Sequence, residues 1–129
     1  MTLQGRRVDL LERASLSAVF QEENSVGVLH LAGIHGPQIA PSKFEHAHVE
    51  TTRNLLEQGH GKIKRWISVG SAVEYGLSAS EVHFQESSRC VPATAYGHSK
   101  LKQTQLVQKF CEKENIPWVV FRAFNVFGP

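Results

Sequence analysis

The feature that most constrains this chain is an alternation of two kinds of segment. Three short apolar runs, "VGVLHLAG" (26–33), "RWISVGS" (65–71) and "PWVVFRAFNVFG" (117–128), are separated by stretches with helical periodicity. The runs are rich in β-branched and aromatic residues and bounded by glycine, proline or polar residues, which marks them as strands. Their apolar character is nearly continuous, as expected of strands covered on both faces. "RRVDL" (6–10) reads as a further short strand.

The intervening stretches read as helices. The first is "ASLSAVFQEE" (14–23). The second opens at Pro41, with Ser42 and Glu45 spaced as a capping box. It carries Phe44, His48, Thr51, Thr52, Leu55 and Leu56 on one stripe and stops near Gly59. The third begins near Thr94 and places Gln103, Leu106, Val107 and Phe110 on one face. Strands alternating with helices predict βαβ units, a parallel sheet and right-handed crossovers. In such a sheet ligands bind beyond the carboxyl ends of the strands. The segments found there, "HLAGIHGP", "SVGSAVEYG" and "FNVFGP", are rich in glycine and small residues, so three site loops are expected on one rim. The polar, irregular stretch 72–93 is long for a loop in a compact domain, and loops of that kind are usually functional.

Bulk properties narrow the function. At 129 residues with 41% hydrophobic content, the chain is about one domain with a buried core. The net charge is +2 and the basic residues are scattered, which gives no footprint for nucleic acid or a membrane surface. No apolar run approaches the ~18 residues of a spanning helix. Cys90 and Cys111 stand alone, outside any CxxC, and "MTLQGRRVDLLERASL" has no apolar signal core. Together these predict reduced thiols and a cytoplasmic location.

The residues with chemical potential lie on the expected rim. On a helix, Tyr96 and Lys100 share a face one turn apart. An ammonium beside a phenol lowers its pKa from the usual value of about 10, and a tyrosine so tuned can exchange a proton with an alcohol or ketone. Taken alone, the spacing reads first as a surface tyrosine resting on a lysine stem. Ser71 follows a strand directly and can donate to a substrate oxygen, although "SVGS" is equally good turn material. His30, inside an apolar strand, reads as a satisfied core histidine. His46 and His48 do not share a helix face, so zinc is not expected. Glu74 and Glu86 show no pairing that would suit a two-carboxylate hydrolase.

Taken in order and spacing, "VDLLERASL", "VLHLAG", "HVETTRNLLE", "ISVGSAVEYG", Pro92 followed by "YGHSK", and "FRAFNVFGP" resemble the NAD-dependent epimerase/dehydratase family of the extended short-chain dehydrogenases/reductases. The resemblance runs from about residue 8 to 129. It implies an α/β fold: part of a Rossmann-like, doubly wound parallel sheet lacking the first βαβ unit. Residues 1–129 would span the third- to sixth-strand region of the NAD(P)-binding domain, without the C-terminal substrate domain. It also implies a nicotinamide cofactor (NAD or NADP), a nucleotide-sugar-like substrate, and a homodimer through helices 43–58 and 95–113.

The resemblance assigns roles residue by residue. Tyr96 would be the acid/base, Lys100 would lower its pKa and bind the nicotinamide ribose, and Ser71 would hydrogen-bond the reacting oxygen. Asp9 and Leu10 match the pair that meets the adenine ring. Ala32 and Gly33 match the small residues lining the cofactor, and Asn125 the asparagine that contacts substrate. The departures are specific. The 4,6-dehydratases carry a Glu, often preceded by an Asp, where this chain has Val73 and Ala72. Glu74 is one place off and is expected to point elsewhere along an extended segment. Both features favour an epimerase or ketoreductase, and "VGSAVEYG" is similar to deoxysugar 4-ketoreductases. His48 replaces the asparagine that supports the lysine in the family, and Thr51 replaces a glycine. The GxxGxxG turn that grips the pyrophosphate is not in the chain. The resemblance therefore leaves three readings: an epimerase or ketoreductase seen as a fragment, an inactive truncated product with at most a binding or dimerisation role, and a reductase of non-sugar carbonyls. The fragment alone is expected to bind NAD(P) very weakly and to turn over nothing.

Overall fold

A computed structural model describes residues 2–3, 6–77, 83–125 and 128 of the chain. Three parallel strands, β3 (Val26–His30), β4 (Ile63–Ser71) and β5 (Trp118–Ala123), form one sheet in the order β3-β4-β5. Their registers pair Val28 with Trp66 and Ile67 with Val119. β1 (Thr2–Leu3) and β2 (Arg6–Arg7) make a separate antiparallel pair. The strand expected over 6–10 is thus only Arg6–Arg7, because Val8 and Leu10 turn into the core instead.

The crossovers are helical. Helix α1 (Arg13–Glu22) precedes β3. Helix α2 (Pro41–Phe44), a π-helical turn (Glu45–Glu50) and α3 (Thr51–Gln58) run continuously between β3 and β4. Helix α4 (Ala95–Lys113) joins β4 to β5. Successive right-handed crossovers in one direction place α3 and α4 on the same face of the sheet. Trp66, Leu16, Leu55, Leu56, Val107 and Cys111 interlock there with almost no exposed surface. Each leucine or valine among them gains about 1.5–3 kcal/mol by leaving water.

The opposite face departs from the expectation of cover on both sides. Its outward row, including Leu29 (58% exposed) and Phe121 (59% exposed), is open. The apolar runs are continuous because this row is apolar too, while the described helices pack only on the other side.

The helix between β3 and β4 begins differently from its sequence pattern. Ala40 is the N-cap and Pro41 occupies the first turn, so Ser42 lies inside the helix and makes no cap bond. The Glu45 carboxylate instead receives the Lys102 ammonium of α4 at 3.1 Å. The capping box lies elsewhere, where β4 ends. Ser71 caps a 3-10 turn (Ala72–Glu74), and Glu74 Oε1 accepts the Ser71 N–H at 2.8 Å. Glu74 therefore sits in a tight turn, not in the extended segment expected. Gly76 follows at φ +94, where a side chain would also strike the Val91 carbonyl. The Val91 N–H donates to Tyr75 O at 3.2 Å, closing the long loop at its base.

Candidate active site

Helix α4 presents Tyr96 and Lys100 because its start is tightly specified. Thr94 caps it by accepting the Gly97 N–H at 3.0 Å. Gly97 brings the first turn against the 3-10 turn: a Cβ there would lie 2.9 Å from Val73 O. Tyr96 is half-buried among rings, edge-on to His35 (5.1 Å), Phe44 (5.5 Å) and His48 (5.5 Å).

Lys100 is buried beneath the rim. Its ammonium donates to Val69 O of β4 at 2.6 Å and to Gln103 Oε1. Burial lowers its pKa to about 8, with Glu74 acting in the opposite direction. Two of its three N–H groups are used in these bonds, leaving one for a ligand.

His48, in the middle of the π turn, ties the loop after β3 to α4. Ser99 Oγ donates its one proton to Tyr96 O at 2.8 Å, so it accepts from His48 Nδ1–H at 2.8 Å. His48 Nε2 is then an acceptor, and the Ile34 N–H lies 3.2 Å away. Ile34 also offers its carbonyl to Nε2 at 3.1 Å, so a charged His48 would find a partner as well. The neutral form is favoured: burial, then the Lys100 charge, push the His48 pKa down to about 4.

A cavity of about 190 Å³ at the carboxyl ends of β3 and β4 is lined by Ala32, Gly33, His35, His48, Tyr96 and Lys100, among others. Of the residues singled out in the sequence, Ala32, Gly33, Tyr96 and Lys100 come together here. Ser71 lies one residue beyond Gly70, which also lines the cavity, and its hydroxyl caps the 3-10 turn. Asp9 is exposed and accepts the Leu11 N–H, while Leu10 is in the apolar core with its carbonyl bonded by Asn54. Neither lines the cavity. Asn125 is exposed beyond β5, and Val126 and Phe127 of its motif lie outside the described residues. A larger groove along β5, lined by Tyr75, Phe84, Trp118 and Arg122, lies away from this pair.

Glu74 is the residue sequence reasoning missed. It is fully buried, and its Oε2 accepts from Arg122 Nε at 2.9 Å, joining the 3-10 turn to β5. The signal was present as Ser71-x-x-Glu74, the same box pattern placed instead at Ser42 and Glu45.

Comparisons with known proteins agree with this fold. The NAD dependent epimerase/dehydratase family model matches residues 2–129. The chain belongs to this family. It is 28% identical over 125 residues to the human dTDP-D-glucose 4,6-dehydratase, covering 94% of this chain and 35% of that one. The UDP-glucuronic acid 4-epimerase from Bacillus cereus, solved with NAD, superposes with a TM-score of 0.78 at 30% identity, covering 95% of this chain and 39% of that one. RMD from Pseudomonas aeruginosa, complexed with NADPH, gives a TM-score of 0.84 at 28% identity, covering 96% and 43%. The chain thus spans well under half the length of these relatives.

The family implies a nicotinamide cofactor, and the cavity fits one end of it. Ala32, Gly33 and Gly70 keep the wall low, and Lys100 keeps one N–H beyond its bonds to Val69 and Gln103. The volume of about 190 Å³ is below the ~300 Å³ at which whole-ligand pockets begin. Among the described residues, no helix is long and apolar enough to cross a membrane, and no cluster of potential ligands could hold a metal ion.

Proposed function

We propose that this chain carries the acid/base part of an NAD(P)-dependent nucleotide-sugar epimerase or 4-ketoreductase. The observation that carries the reading is the meeting of Tyr96 and Lys100 with Ala32 and Gly33 in one cavity at the strand ends. The cofactor, when bound, supplies or accepts the hydride. Tyr96 holds or moves the proton of a sugar hydroxyl at its phenol oxygen. Lys100, charged at neutral pH, stabilises the phenolate form and binds the ribose. Ser71 orients the reacting oxygen from the end of β4, and Asn125 contacts the substrate. Asp9 and Leu10 are assigned to the adenine end on the resemblance alone.

The preference over dehydration rests on the 3-10 turn. Ala72 and Val73 occupy the positions of the dehydratase acids and cannot move protons. The nearest carboxylate in the chain, Glu74, is fully buried and committed to Ser71 and Arg122. A Tyr96→Phe substitution tests the reading. In the whole protein it is expected to abolish hydride transfer and leave cofactor binding nearly intact; full retained activity would remove Tyr96 from the mechanism.

A further inference from the structure

We propose that Gln103 is a positioning residue for this site: anchored by Thr52, and through Thr52 by His30, it holds the Lys100 ammonium in place below the rim. The inference rests on the reading of Lys100 as part of the acid/base pair. It starts from a buried row of polar side chains that crosses from α4 to α3 and β3. Lys100 Nζ donates to Gln103 Oε1, Gln103 Nε2 donates to Thr52 Oγ1 at 2.9 Å, and Thr52 Oγ1 meets His30 Nε2 at 2.9 Å. All four side chains are at most 6% exposed.

The direction of both Gln103 bonds follows from the charge at one end. An ammonium can only donate, so the Gln103 amide must turn its oxygen to Lys100. Its NH₂ then faces Thr52. The Thr52 hydroxyl accepts from that NH₂ and meets His30 Nε2 as donor or as second acceptor, according to the His30 tautomer. Burial and the nearby Lys100 charge lower the His30 pKa to about 4, so the ring is neutral at physiological pH. A glutamine in a buried pocket leaves two polar ends to satisfy, and this one has both satisfied, its oxygen by Lys100 and its NH₂ by Thr52. With Val69 O as its second acceptor, Lys100 is held by two fixed oxygens from separate elements.

The test reads Lys100 directly in the unliganded protein, by the pH titration of its ¹³Cε resonance, assigned through Lys100→Arg. The other titratable groups facing Lys100 are Glu74 of the 3-10 turn, His48 of the π turn, His30 of β3 and Tyr96 on α4 itself, and none is altered. Gln103→Leu is expected to lower the Lys100 midpoint by about one unit, the loss of one bond to the charged form. Gln103→Glu is expected to raise it, and Thr52→Val, which frees the anchor, to lower it by less. Should Gln103→Leu fail to fold, the other two decide. Midpoints within about 0.3 unit of the wild type in the Gln103 variants overturn the proposal, and an unchanged Thr52→Val overturns the anchoring through Thr52. The titration needs neither cofactor nor turnover. A failure here is therefore distinct from a failure of the catalytic reading, which Tyr96→Phe tests.

Discussion

Glu74 Oε2 and Arg122 Nε lie 2.9 Å apart, with the carboxylate fully buried and the guanidinium stacked 4.8 Å from the centre of the Tyr75 ring. This pair joins the turn that carries Ser71 to β5. Glu74→Ala would leave the Ser71 N–H without its acceptor and Arg122 without its carboxylate, with only Tyr75 Oη and Glu86 O still accepting from the guanidinium. Breaking a buried pair by removing one partner costs about 3–5 kcal/mol. Urea unfolding is expected to show a loss of that order for Glu74→Ala; a loss below about 1 kcal/mol would mean that the pair is not structural.

Gly97 reverses a general rule. An alanine in place of glycine inside a helix ordinarily stabilises by about 1 kcal/mol. Here the new Cβ would sit 2.9 Å from Val73 O and 3.0 Å from Pro92 Cβ. Gly97→Ala is therefore expected to destabilise, by about 1–3 kcal/mol, in line with overpacking. A raised Tm would show that α4 does not need this close approach.

His30 and His48 both have folded-state pKa values of about 4, depressed from 6.5 by burial and the Lys100 charge. Between those values the unfolded chain binds protons that the folded chain refuses, so stability rises with pH across the interval. The contribution is fully present above pH 6.5 and lost as pH falls through 4. Thermal unfolding followed from pH 7 to 4 is expected to show a steadily falling Tm, with a shallower fall in His48→Gln. A flat profile would place both histidines in contact with solvent.

The His48 bonds predict a tautomer. With Nδ1–H donating to Ser99 and Nε2 accepting from Ile34, two-bond ¹H–¹⁵N spectra at pH 7 are expected to show protonated Nδ1 and bare Nε2. The opposite pattern would mean that His48 donates to the Ile34 carbonyl, reversing the link between the loop after β3 and α4.

Much of this arrangement was legible in the sequence. The three strands are β-branched runs, and Thr94 announces the start of α4. Tyr96 and Lys100 gain meaning from the motifs around them, with Ala32 and Gly33 following β3. What was not legible depends on distance along the chain. The Ser-x-x-Glu pattern occurs at Ser42 and at Ser71, and only the neighbours decide between them: Pro41 in the first turn makes Ala40 the cap, whereas the end of β4 leaves Ser71 free to cap. The row from Lys100 to His30 joins α4, α3 and β3, and no local pattern announces it. The π turn that presents His48 is likewise set by packing against α4. The open outer face of the sheet could not be read either, since an apolar run looks the same whether or not a layer covers it.

The central claim is that Tyr96 is the acid/base of a nicotinamide-dependent reaction on a nucleotide sugar. Its most direct measurement is the single-turnover rise in absorbance at 340 nm, as bound NAD(P)⁺ takes a hydride from nucleotide sugar added to the whole protein, for wild type and Tyr96→Phe, alongside the cofactor Kd of each. The account predicts a rate lower by about 10²–10⁴ in the variant, the range of general acid–base catalysis, with little change in cofactor affinity. A variant that turns over at the wild-type rate would contradict it.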